Sequence, residues 1–342
     1  MLKTRRLLLW AALLVCMVLV VSGCGAEGNE NVAGSNGGDV QKQEDAPGNE
    51  VNEQDDSKQE NESGDVRIYE SINGAIELPA NPERVLLAVQ DYVGDVLVLG
   101  VKPIGVAGWI SETSPYHKEL IKDIENVGEN REVSAEKVIA LDPDVILTYD
   151  QNSYEELSKI APTIVIPLEY GYEQRVTEIG KVLNKEAEAE KWIDGFQQKG
   201  AEKKEELLKA IGADEKVAIV ELSAKEIYLM GKTYGRGGQI IYEVLGLHAP
   251  AKVEELAFEA GWAGISQESI PEVLGEADHI FLGVRNDASE MESQIMNSKL
   301  WQNLPAVQNG KVYPYSVDAF YYSDAIALEH QFDQIVSELI SQ

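Results

Sequence analysis

Asn184–Ile211, NKEAEAEKWIDGFQQKGAEKKEELLKAI, is the stretch that decides the fold. It holds no proline. Ala189, Trp192, Ile193, Phe196, Leu207, Leu208 and Ile211 recur on one face at helical spacing. Asn184 reads as the N-cap and Gly212 as the glycine that stops the helix. At about 1.5 Å per residue, these 28 residues make a rod of roughly 42 Å. On each side lies a segment that alternates short apolar strands with helices. The pattern predicts two Rossmann-like α/β lobes joined by a single long helix, spanning 66–183 and 213–342 with the linker at 184–212.

In the first segment, Arg67–Glu70 and Ala75–Leu78 flank Ile72-Asn73-Gly74, a hairpin signal. Strands follow at Arg84–Val89, Ile104–Ala107, Asp144–Leu147 and Thr163–Ile166, and Ser134 caps a helix that runs to Leu141. Ligands of such parallel sheets sit beyond the carboxyl ends of the strands. The loops there carry Gln90-Asp91-Tyr92, Trp109, Tyr149, Tyr170 and Tyr172. In the second segment, strands are expected at Lys216–Leu222, Ile227–Met230, His279–Gly283 and Lys311–Tyr315. The glycine-rich loop Gly231–Gly238 opens a helix at Gln239–Leu245, and Ala325–Ile340 closes the chain. A weak repeat relates the halves. Glu136 opens a helix before Asp144 and an apolar strand; Glu268 does so before Asp278. Both glutamates suit the positive end of a helix.

The formal net charge is −30. Residues 66–342 carry −23 of it, which argues against nucleic acid or anionic lipid as a partner. The two cysteines, Cys16 and Cys24, both lie in the first 24 residues, so a disulfide or cysteine metal site in the lobes is excluded. Met1–Arg6 is basic, and Leu7–Val21 is a 15-residue apolar run, short for a membrane span. It reads as the core of a signal peptide over 1–23. Val21-Ser22-Gly23-Cys24 resembles the lipobox of bacterial lipoproteins, which implies cleavage before Cys24 and a lipid on it. Residues 25–65 hold almost no large apolar side chain and read as an acidic tether.

No enzyme signature stands out. Gly231-Lys232-Thr233 invites a phosphate-loop reading, but Glu226 stands where that motif needs its first glycine. Gly235-Arg236-Gly237 is no dinucleotide fingerprint either, because Ile240 occupies the last glycine position. The four histidines, His117, His248, His279 and His330, lie at no metal-ligand spacing. The aromatic residues do stand out: Trp109, Tyr149, Tyr170, Tyr172, Tyr228, Tyr234, Trp262, Tyr321 and Tyr322, with Arg236 beside Tyr234. Aromatic walls and one arginine suit a bulky, partly apolar ligand with oxygen acceptors.

Six motifs carry a family resemblance. They are IELPANPERVLL (76–87), VSAEKVIALDPDVIL (133–147), KTYGRGGQIIYEVLGL (232–247), AGWAGISQESI (260–270), LWQNLPAVQNGKVY (300–313) and DAFYYSDAIALE (318–329). With these the chain resembles the substrate-binding lipoproteins of ABC importers for iron(III)–siderophores, in the cobalamin/siderophore fold group. The last four motifs look closest to ferric hydroxamate binders of Gram-positive bacteria. The resemblance implies that Arg236 bonds hydroxamate oxygens and that Tyr234 and Tyr321 wall the cleft, where hydroxamate binders carry tryptophan. Tyr228 would line the second lobe, with Trp109, Tyr170, Tyr172 and Trp262 as further ligand-binding candidates. Glu136 and Glu268 would dock onto arginines of the permease. A single cleft arginine favours a neutral or weakly charged ferric hydroxamate over an anionic catecholate and leaves citrate-based mixed hydroxamates open. The siderophore saturates its iron, so no protein metal ligand or cofactor is implied. The expected partners are the ferric siderophore, the permease with its ATPase, and the membrane through the lipid, with the chain acting as a monomer on the extracellular face. Haem or a corrinoid in the same fold is the alternative ligand, and a surface-anchored enzyme the alternative class.

Overall fold

A computed structural model of the protein describes residues 66–341. The first lobe opens with a hairpin, β1 (Val66–Ser71) and β2 (Gly74–Pro79), paired from Ser71↔Gly74 outward. The turn closes because Ser71 Oγ accepts from the Asn73 N–H and Gly74 takes φ +100°. Then come β3 (Val85–Leu87), α1 (Val93–Val98), β4 (Gly105–Val106), α2 (Ile110–Thr113), β5 (Glu125–Asn126), α3 (Ala135–Leu141), β6 (Val145–Thr148), β7 (Thr163–Val165) and α4 (Tyr172–Leu183). The sheet order is β5-β4-β3-β6-β7, every pair parallel. Strands β3 and β6 are buried at every residue, which explains why they read as unbroken apolar runs rather than alternating ones.

The rod is α5, Glu186–Ile211. Its start differs from expectation. Asn184 does not cap it; at φ +54° it is the left-handed C-cap of α4, and α5 begins two residues later. Two helices meeting at an angle need such a stop, and asparagine tolerates it. Gly212 ends α5 at φ +85°, as its sequence implies.

The second lobe contains β8 (Val217–Leu222), β9 (Ile227–Met230), a π-helix at Gln239–Val244, α6 (Ala251–Ala257), β10 (Trp262–Ile265), α7 (Ile270–Leu274), β11 (His279–Val284), α8 (Ser289–Met296), β12 (Val312–Tyr315) and α9 (Ala325–Ile340). Its order is β10-β9-β8-β11-β12. Strands β8, β11 and β12 run parallel, while β9 is antiparallel to both its neighbours. The short link Ser223–Glu226 forces this, because a parallel return needs a crossover. The expected α-helix at Gln239–Leu245 is a π-turn, closed by the Leu245 N–H on the Ile240 carbonyl.

The sequence repeat has a common physical job. Asp144 Oδ2 accepts from the backbone N–H groups of Glu83 and Arg84, at 2.8 Å each. Asp278 Oδ2 accepts from the Lys216 N–H at 2.7 Å. Each aspartate thus seals the entry of the neighbouring parallel strand. His279 is buried against Tyr313 Oη, a structural role.

Two elements tie the lobes. The middle of α5 presents Trp192 and Phe196, stacked at 5.2 Å, with Tyr172 edge-on to both and Phe332 of α9 on Phe196. The start of α9 makes a second tie. Asp324 caps α9 through the Ala327 N–H and receives His117 Nε2 of the first lobe. Its carboxylate lies where a Cβ on Gly94 of α1 would sit, 2.0 Å away, so that position requires glycine.

Candidate functional site

The site grows out of the loop after β9. Tyr234, Gly235, Arg236 and Gly237 all take positive φ, at 66°, 73°, 57° and 80°. Glycine supplies two of these at no steric cost; tyrosine and arginine hold theirs only under constraint. The Arg236 N–H donates to the Phe320 carbonyl at 2.7 Å. Gly235 lies so close to Tyr321 that a Cβ would meet its carbonyl oxygen at 2.5 Å. The loop is therefore clamped against the segment carrying Tyr321.

Arg236 is the pivot and is only 7% exposed. Its Nε donates to Glu221 Oε2 at 2.7 Å, and its Nη1 reaches the carbonyls of Tyr234 and Tyr321 at 3.4 Å. The guanidinium sits 4.6 Å from the centre of the Tyr321 ring, a cation–π pair. Glu221, one residue from the carboxyl end of β8, is fully buried and also accepts from Arg285, whose Nε is 2.6 Å from Oε1. Burial alone would raise the Glu221 carboxyl, but hydrogen bonds and charge from Arg236 and Arg285 outweigh it and hold the group below the usual glutamate range. The cleft floor is an Arg–Glu–Arg cluster with net charge +1. Arg285 corrects the expectation of a single cleft arginine. It follows β11 directly, at the carboxyl edge of a parallel strand where ligand contacts are expected. Glu221 carried a signal too, as the one charge inside an apolar strand.

Above this floor lies a cleft of about 750 Å³. Tyr228, Tyr234, Arg236, Trp262, Arg285 and Tyr321 line it from the second lobe, and Trp109 and Thr113 from the first. Tyr228 and Trp262 meet edge to face at 5.5 Å. Trp109 is set by its N–H on Gln90 Oε1 at 2.9 Å. Tyr234 is 57% exposed, too open for a packing residue. Of the eight aromatic and arginine candidates read from the sequence, six converge here. Tyr170 and Tyr172 do not. Tyr172 is buried in the first turn of α4, in the Trp192–Phe196 cluster, and Tyr170 borders a separate small hollow beside Tyr69 and Glu178. Tyr149 is turned to Tyr92 and to Asn130, which donates to its Oη at 3.0 Å. Burial, and after it the charge of nearby Asp91, push the Tyr321 hydroxyl upward, and burial raises the Asp91 carboxyl itself to about 6.

Glu136 and Glu268 are both exposed, each two residues after a serine and in the first turn of its helix. Among the described residues no His, Cys, Asp or Glu group is arranged to hold a metal ion, and no helix is long and apolar enough to cross a membrane. Cys24 lies outside the described residues.

Comparison with known proteins gives this geometry a context. The family model described as periplasmic binding protein matches residues 87–318. The chain belongs to the periplasmic binding protein family. The iron(3+)-hydroxamate-binding protein FhuD of Bacillus subtilis (strain 168) is 33% identical over 288 residues, 83% of this chain and 89% of its own. The structure of FhuD from S. pseudintermedius superimposes with a TM-score of 0.72 at 28% identity, covering 81% of this chain and 99% of that one. FhuD2 from Staphylococcus aureus with bound ferrioxamine B gives 0.67 at 26% identity, covering 76% and 99%. The bilobed α/β architecture with its connecting helix is that of this family, whose members are binding proteins.

Proposed function

We propose that this protein captures a ferric siderophore of the hydroxamate type between its lobes and delivers it to an ABC permease for iron uptake. The observation that carries the reading is the cleft itself. Tyr228, Tyr234, Trp262 and Tyr321 wall it, and its cations are fixed on the buried Glu221. Aromatic faces pack against the carbon backbone of a trihydroxamate, and guanidinium groups donate hydrogen bonds to the oxygens around the metal. Six siderophore oxygens fill the coordination sphere of iron, so the chelate is bound as a whole and needs no protein ligand. The similarity to iron(3+)-hydroxamate-binding FhuD supports this ligand class.

Trp109 and Trp262 both face the cleft, which gives a direct readout. Ferrioxamine B is expected to quench tryptophan fluorescence with sub-micromolar affinity, and a ferric tricatecholate and haem to do so far more weakly. Tight binding of haem without hydroxamate binding sinks the reading, and turnover of a chelate points to an enzyme instead.

The chain is organised for the cell surface in this reading. Residues 1–23 act as a signal peptide, Cys24 carries lipid, and 25–65 tether lobes 66–183 and 213–342, linked through 184–212, as a monomer. Two acyl chains would anchor it firmly. Glu136 and Glu268 then dock onto permease arginines. The double variant Glu136→Ala, Glu268→Ala is expected to bind ferrioxamine B as wild type does but to lose most uptake of radiolabelled iron by cells. Undiminished uptake removes these two residues from docking.

A further inference from the structure

We infer that Arg285 is a second chelate-contacting cation and that it makes the cleft favour siderophores bearing a free carboxylate. The inference rests on the siderophore reading above. The two arginines on Glu221 are not equivalent. Arg236 is almost wholly buried, and each of its three guanidinium nitrogens already has a protein partner: Nε and Nη2 on Glu221, Nη1 on two carbonyls. Arg285 has a side chain 40% exposed and uses Nε and Nη2 on the same oxygen, Glu221 Oε1, both at 2.6 Å. Its Nη1 has no hydrogen-bond partner among the described residues, and Arg285 is one of the residues lining the cleft. The guanidinium lies 5.0 Å from the centre of the Tyr228 ring, which fixes its plane at the cleft wall.

One carboxylate shared by two guanidinium groups leaves a full positive charge unneutralised, and Arg285 is the more open member, with 40% of its side chain exposed against 8% for Arg236. Asp318 also lines the cleft, but it is exposed in the first turn of Val317–Phe320, where water screens it. A hydroxamate oxygen on iron carries only part of a charge. A carboxylate on the rim of the chelate carries a whole one and matches the free edge of a guanidinium.

The test compares two chelates with the same iron centre, ferric N-acetyl-desferrioxamine B, which is neutral, and ferric N-succinyl-desferrioxamine B, which bears one carboxylate. Wild type is expected to bind the succinyl form roughly tenfold tighter, the worth of one charge-assisted contact in a half-exposed site. Arg285→Gln is expected to weaken both chelates and to bring that ratio to within about twofold of unity, while Arg236 remains on Glu221. If the glutamine variant does not fold, Arg285→Lys reads the same ratio. It keeps the charge and loses the fork, and a drop of threefold or more is expected. Equal wild-type affinity for the two chelates, or an unchanged ratio in the variant that folds, overturns the inference and leaves hydroxamate capture standing. Binding of neither chelate to wild type overturns both.

Discussion

Arg175→Met is expected to lower the unfolding free energy by about 3–5 kcal/mol, the usual cost of removing one partner from a buried ion pair. Arg175 of α4 is 2% exposed. Its Nε meets Asp95 Oδ2 of α1 at 2.5 Å, and its Nη2 donates to the Ser323 carbonyl at 2.6 Å. Asp95 Oδ1 in turn accepts the Ala325 N–H of α9 at 2.8 Å. One arginine therefore joins three elements at the seam where the last helix enters the first lobe. Methionine of similar length fills the space but strands Asp95, with the Asp324 carboxylate of α9 close by. His117 is then the remaining basic group on Asp324.

At roughly 2–4 °C per kcal/mol for a chain of this size, thermal denaturation should shift down by about 10 °C. Burial already holds the Asp95 carboxyl above its usual range with Arg175 beside it, so the variant should deepen that pH dependence and not reverse it. Without its arginine, Asp95 folds with a pKa further above the unfolded value of about 3.9 than in the wild type. The variant is then most stable at low pH and loses stability as pH rises through the folded value. A melting temperature within 2 °C of wild type would show that the seam contributes little.

How far this seam and the cleft were legible in the sequence depends on the range of the forces involved. The rod, the parallel first sheet and the repeat around Asp144 and Asp278 follow from periodicity and from residues close in the chain. The lobe seam does not. Asp95, Arg175 and Asp324 are far apart in sequence, and each alone reads as a surface charge. Tyr172 misled for the same reason: aromatic residues in a loop before a helix look available, and only the packing of Trp192 and Phe196 shows where the ring goes. Trp262 was found as an aromatic but not as part of a strand, because β10 is a short edge with no regular alternation beyond its four residues. In the cleft, Arg236 announced itself through its glycine neighbours. Arg285 lay unremarked at a strand end, and only the shared Glu221 makes its role apparent.

Arg236→Ala should raise the dissociation constant for ferrioxamine B about 100-fold, or about 2.7 kcal/mol, within the range for a lost hydrogen bond to a charged group together with the order it imposes. Two losses add. The first is direct: the Nη1 contacts to the carbonyls of Tyr234 and Tyr321 are long, at 3.4 Å, and can be exchanged for a chelate oxygen. The second is positional, since the same group holds both wall tyrosines and stacks on one of them. The fold should survive. Glu221 keeps Arg285 and the Tyr315 hydroxyl as partners, so no bare carboxylate is left in the core.

Alanine inherits the left-handed backbone at φ +57°, a strain of about 1 kcal/mol that glycine would not feel. Arg236→Gly should therefore match alanine in lost affinity while melting at the same temperature or slightly higher. Glu221 adds a pH signature. Its folded pKa lies below the unfolded value near 4.3, so the cluster stabilises the protein above that value and loses its contribution as pH falls through the folded one. With Arg236 gone the depression shrinks, and the acid transition should move to higher pH. Titration calorimetry and acid unfolding on the same two variants measure both effects. Affinity within threefold of wild type, with the acid transition displaced as described, would make Arg236 a structural brace and leave recognition to the aromatic walls.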